Sequence, residues 1–162
     1  MRPRSIGRRL ALQYLFMADM NHYENVETPG EFFQMQRRAV LDNAGEAESG
    51  GFVFDRDDPH QDEAEAFARR LIREVRDNQD DIDAAIEGAA SNWSISRMGV
   101  IERNVIRIAA AEVRLGESPR GVILDEAVEL AKRFGDKESG AFVNGIADRL
   151  ASNEAAARRR EN

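Results

Sequence analysis

Arginine is the residue type in this chain best placed to do chemistry, and that chemistry is anion recognition. A guanidinium offers a planar fork of N–H donors that fits a phosphate. Residues 1–9 read MRPRSIGRR, with Arg2, Arg4, Arg8 and Arg9 and no acid among them. On a helical wheel with Arg8 at zero, Arg9, Gln13, Phe16 and Met20 fall between about 80° and 140°, in one stripe. Charge for phosphate beside a flat ring for a base is the combination that binds single-stranded RNA. The competing reading is that Phe16 and Met20 pack on another helix while the arginines are solvated. The stripe alone favours packing, and the four arginines without acidic neighbours move the balance toward RNA.

A second stripe lies between residues 97 and 116. Arg103, Arg107 and Arg114 fall within about 40° of one another on the wheel, with no acid interleaved. Phosphate binding and ion pairing to an acidic second or fourth helix explain it equally well. Glu112 falls at the centre of the apolar stripe of the same helix. A carboxylate there must find donors, so it reads as architecture rather than as a general acid. Trp93 reads as a core anchor between two halves of the chain.

Other chemistries have little to stand on. The chain has no cysteine, which excludes disulfides and thiolate catalysis. His22 and His60 have no second ligand at metal spacing. No phosphate-cradling glycine loop or nucleophile elbow occurs; Gly45, Gly50 and Gly51 sit among acids. Carboxylate pairs such as Glu126 and Glu129 occur on any charge-rich helix. The expectation is a non-enzyme without cofactor or metal.

The elements that must position these residues are helical. Hydrophobic residues make up 42% of the 162, enough for a core, and the apolar pattern repeats at helical spacing without strand alternation. The first helix is expected from about Ser5, its N-cap, to Asn21, burying Leu10, Tyr14, Met17 and Ala18. The second follows Thr28-Pro29, cap and first turn, to about Asp42; it turns Phe32, Met35, Ala39 and Phe33 inward. Residues 43–61 read as an acidic, Gly-rich loop, with Phe52, Val53 and Phe54 available to tuck it down. A third helix begins near Gln61 with Phe67, Ala68, Leu71, Ile72 and Val75, and a fourth covers about Asp80 to Ala90. The fifth runs from Arg97 to Gly116 with Ile101, Val105, Ile108, Ala109 and Leu115 on its apolar face. A sixth follows Pro119 to Gly135, and a seventh runs from Ser139 to about Leu150. Residues 152–162 read as a flexible polar tail. The expected fold is an all-α compact bundle of about seven helices within residues 1–151. An N-terminal half of about 1–77 would join a C-terminal half of about 78–151.

Charge sharpens the picture. The net charge is −7, and the four arginines of residues 1–9 leave −11 on the rest. A basic arm on an acidic body binds phosphate locally, since screening confines each charge to about 10 Å. The acidic body in turn suits a basic protein partner. No apolar stretch suits a membrane span or a signal peptide, so a cytoplasmic location is expected.

From Asn92-Trp93 through MGVIERNVIRIAAAE to VILDEAVELAKRFGDKESGAFVNGIAD, the sequence resembles the C-terminal half of the NusB family of bacterial transcription antitermination factors. LDEAVELAKRFG and ESGAFVNG carry the resemblance most specifically, and an arginine-bearing first helix with QYLFM stands in the matching place. The likeness is strong over about 93–150, fair over 1–20 and weak over 21–61. It implies two roughly perpendicular helical subdomains. It implies binding of boxA-type RNA in ribosomal RNA transcripts, jointly with the ribosomal protein NusE, in a complex that reaches other Nus factors and RNA polymerase indirectly. Carried onto matching positions, it implies RNA contacts at Arg4, Arg8, Phe16, Arg107 and Phe142, and a partner contact at Glu102; Arg103 belongs to either surface. Arg9 and Gln13 join the RNA set from the wheel, and Arg2 from the run of arginines without acidic neighbours. The chain departs from the family where Ser5, Ile6 and Gly7 interrupt the arginine cluster and where Gly140-Ala141 precede Phe142. A homodimer covering the basic surface and a purely structural helical adaptor are the alternatives. An RNA-recognition domain of a ribosomal RNA methyltransferase is a further one, for which the chain holds no cofactor-binding segment.

Overall fold

The computed structural model describes residues 2–42, 59–91 and 93–162. The acidic segment with Phe52, Val53 and Phe54, together with Asn92 and the side chain of Ala39, lies outside the described residues. The described residues hold seven α-helices: α1 (Pro3–Met20), α2 (Pro29–Asp42), α3 (Gln61–Asp77), α4 (Gln79–Ala89), α5 (Val100–Leu115), α6 (Arg120–Phe134) and α7 (Ser139–Glu161). A short 3-10 turn, Ile95–Arg97, precedes α5. The all-α expectation holds. The chain divides into two compact units, Met1–Ile72 and Arg73–Asn162.

In the first unit α1 starts two residues earlier than its expected cap. Pro3 occupies the first turn, where its fixed φ and missing N–H cost nothing, and Ser5 lies inside the helix. Leu10, Leu12, Tyr14 and Leu15 bury one broad face. The Tyr14 ring meets Phe32 edge-on at 5.5 Å, and its hydroxyl donates to the Glu27 carbonyl at 2.6 Å. Thr28 caps α2 as expected, through a reciprocal box: Glu31 N–H donates to Thr28 Oγ1 and Thr28 N–H to Glu31 Oε2. Phe32 and Phe33 are buried, but Met35, expected inside, is 52% exposed. Phe33 is the more deeply buried of the two phenylalanines, and Met35, two residues on, is turned about 160° away from it around the helix.

In the second unit α5 is the axis, packed on α4, α6 and α7. Every residue from Asn104 to Glu112 is buried, far more than a single apolar stripe. The helix begins three residues later than the pattern suggests, because Met98 and Gly99 are extended. Gly116 ends it in the left-handed region at φ +67°, its N–H returning to the Glu112 carbonyl. Beyond Leu150, where a loose tail is expected, α7 continues as helix to Glu161. Arg158 accounts for this: its guanidinium donates to the Val113 and Arg114 carbonyls at the end of α5 and pairs with Glu154 one turn back.

Candidate nucleic-acid interface

The first unit carries the arginine arm. Arg2 precedes α1 and is exposed, as is Arg4 in its first turn. Gly7 lets α1 approach α3 closely: a Cβ there would stand 2.8 Å from the Ala64 carbonyl oxygen and 2.9 Å from Phe67 Cδ1. With the helices this near, Phe67 lies against two guanidinium groups, Arg4 at 5.1 Å and Arg8 at 5.4 Å from its centroid. Arg8 is only 2% exposed. A guanidinium so buried serves the packing of α1 on α3 rather than presenting a fork to a ligand, which corrects its reading as a contact residue. Arg9, Gln13 and Phe16 lie half-buried along the next stripe of α1, and Gln13 Oε1 has no hydrogen-bond partner among the described residues.

The second unit holds the remaining candidates. Arg107 is 4% exposed. Its Nε and Nη2 donate to the two carboxylate oxygens of Asp83 on α4 at 2.8 and 3.0 Å, and Nη1 donates to Asn104 Oδ1 at 3.0 Å. The α5 arginine stripe therefore resolves toward ion pairing: Arg107 with Asp83, and Arg114 with Glu74 at 3.0 Å. Arg107 is architecture, because its donors are already committed to internal acceptors. Arg103, half-buried, donates to the Met98 carbonyl at 3.3 Å.

Where α5 and α7 begin, a cleft of about 300 Å³ is lined by Trp93, Arg97, Glu102, Glu138, Ser139 and Phe142. Trp93 is 48% exposed, which corrects its reading as a core anchor. Its indole meets Phe142 edge-on at 6.1 Å and carries the Arg97 guanidinium at 5.7 Å. Glu102 folds back over Gly99, into space only a glycine leaves open, and accepts the Ser139 hydroxyl. That same hydroxyl lies 3.1 Å from Asp136 Oδ1 and accepts the Asp136 N–H at 2.9 Å. Sequence reasoning missed Asp83, Phe67, Asp136 and Ser139 as members of these sites. The Asp-x-x-Ser spacing at 136–139 was the one signal available, as a capping pattern.

Asp136 has a consequence in acid. Its carboxyl is held below its ordinary value of 3.8, first by the Glu138 N–H, then by the Ser139 hydroxyl and the Ser139 N–H. A lowered folded value makes this stabilisation complete above the ordinary value and lost as pH falls through the lowered one. Asp136→Asn is therefore expected to flatten that part of the acid limb of stability. Urea midpoints between about pH 5 and pH 2 check this, and an unchanged limb would mean the contacts contribute nothing.

Residues 5–152 match the NusB family model. The chain belongs to the NusB family. It is 42% identical over 154 residues to the transcription antitermination protein NusB of Sorangium cellulosum, covering 94% of each chain. Among solved structures it is similar to Thermotoga maritima NusB, at 31% identity and a TM-score of 0.69 over 99% of both chains. A crystal structure of antitermination factors NusB and NusE in complex with double-stranded RNA aligns at 27% identity and a TM-score of 0.69, covering 94% of this chain and 98% of that one. As a NusB-family member the chain is a transcription antitermination factor and not an enzyme. No helix among the described residues is long and apolar enough to cross a membrane.

Proposed function

We propose that this chain acts in antitermination of ribosomal RNA transcription in the cytoplasm, binding boxA-type single-stranded RNA together with NusE. The observation that carries the reading is the exposed pair Arg2 and Arg4 at the head of α1, beside half-buried Arg9, Gln13 and Phe16. Cations at one end of a helix and a half-buried ring further along it offer a single strand phosphate contacts and one base face. Phe142, and Arg103 at the start of α5, would contribute a second RNA edge, with Glu102 directed to the basic protein NusE. Arg8 and Arg107 support these surfaces from within. The complex of NusB and NusE with double-stranded RNA among the solved relatives supports an RNA role alongside NusE, over a helical adaptor or a homodimer without one.

The test is a salt-titrated binding assay with boxA RNA and a scrambled control, with and without NusE. The expected result is tighter binding to boxA that strengthens with NusE and weakens with salt by about 0.7 log units per phosphate contact for each decade. Arg4→Glu with Arg9→Glu is expected to cost about tenfold or more at low salt, and Arg107→Met with Asp83→Leu far less. Equal affinity for boxA and scrambled RNA in the presence of NusE would sink the reading.

A further inference from the structure

The break in the arginine cluster at Ser5, Ile6 and Gly7 has a structural counterpart. At Gly7 α1 approaches α3 closely, with no room for a side chain against Ala64 and Phe67. Arg4 and Arg8 are four residues apart and share a helix face, where like charges repel. Phe67 lies against both, 7% exposed, its ring 5.1 Å from the Arg4 guanidinium and 5.4 Å from that of Arg8. An aromatic face attracts a cation and offers guanidinium a flat stacking surface. Arg8 is enclosed and Arg4 is exposed, so the ring anchors one cation inside and steadies the other at the surface.

We propose that Phe67 is a positioning residue of the arm, holding the Arg4 guanidinium in the orientation in which it meets an RNA phosphate, with Gly7 setting the helix approach that makes this possible. The inference rests on the RNA-binding reading above. Its physical content is entropic. A long arginine side chain in a first helical turn samples many rotamers, and a ligand that captures it must freeze them. An arginine already stacked on a ring has lost most of that freedom in the free protein, so less is lost on binding.

A double-mutant cycle between Arg4→Ala and Phe67→Leu tests it, with single-stranded boxA RNA as the probe and the whole chain as the protein. Phe67→Leu keeps an apolar side chain and removes the ring; Phe67→Tyr keeps the ring. Expected are a roughly fivefold weaker Kd for Phe67→Leu with a shallower salt slope, near-native binding for Phe67→Tyr, and little further loss when Arg4→Ala is added to Phe67→Leu. Equal losses from Arg4→Ala in both backgrounds would overturn the proposal while leaving RNA binding intact. An unmutated chain that binds no RNA would overturn both. A readout independent of folding variants is the NMR shift of the Arg4 side-chain protons, which stacking moves upfield; random-coil shifts in the native protein would also overturn it.

Discussion

Replacing Arg107 by alanine is expected to lower the free energy of unfolding by about 3 kcal/mol, the lower part of the range for breaking a buried ion pair. The guanidinium is 4% exposed and makes two hydrogen bonds to Asp83 and one to Asn104. Alanine takes from the Asp83 carboxylate its bidentate partner and from the Asn104 carbonyl one donor, in surroundings where water replaces them poorly. Asp83 itself is 20% exposed, and partial hydration of the orphaned charge keeps the loss from the top of that range. Arg107→Met combined with Asp83→Leu removes both charges and is expected to recover most of the stability, since an apolar pair of similar volume often matches an ion pair. Urea unfolding followed by far-UV circular dichroism measures all three. Unchanged unfolding of Arg107→Ala combined with lost RNA affinity would instead make this arginine a ligand contact.

Ile106→Ala is expected to cost about 3 to 4 kcal/mol, through lost burial and the cavity left behind. Ile106 is fully enclosed although it lies outside the apolar stripe that the sequence pattern draws on α5. The stripe rests on an amphipathic helix with one wet face, whereas α5 is packed by α4, α6 and α7 and is buried from Asn104 to Glu112. Val122→Ala serves as the contrast. Val122 is 40% exposed on α6, and its truncation is expected to stay within about 0.5 kcal/mol. Equal losses at the two positions would mean that α5 is not the axis of its unit.

These two positions show where sequence reading succeeds and where it stops. Helices declare themselves through local chemistry: Thr28 and Glu31 build their capping box from residues three apart, and Gly116 terminates α5 because it alone accepts a left-handed φ cheaply. The residues that form a site depend on neighbours far along the chain. Arg107 and Arg4 look alike on a wheel, yet one faces an aspartate on α4 and the other lies exposed against a phenylalanine on α3. Nothing within a helical turn of either arginine encodes that difference. Trp93 illustrates the same limit in reverse, since an aromatic ring belongs to the core by type and stands half outside it by position. Family resemblance supplied the ligand and partner expectations, because no wheel names an RNA sequence.

The half-exposed Trp93 makes the molecule its own spectroscopic probe. It is the one tryptophan in the chain, so all indole emission comes from the mouth of the cleft between Arg97 and Phe142. The emission wavelength reads the wetness of that single place. A ligand entering the cleft shields the ring and moves its light to the blue, whereas loss of its packing against Phe142 moves it to the red. Occupancy and local melting are thereby separated by the sign of one optical signal, without any added label.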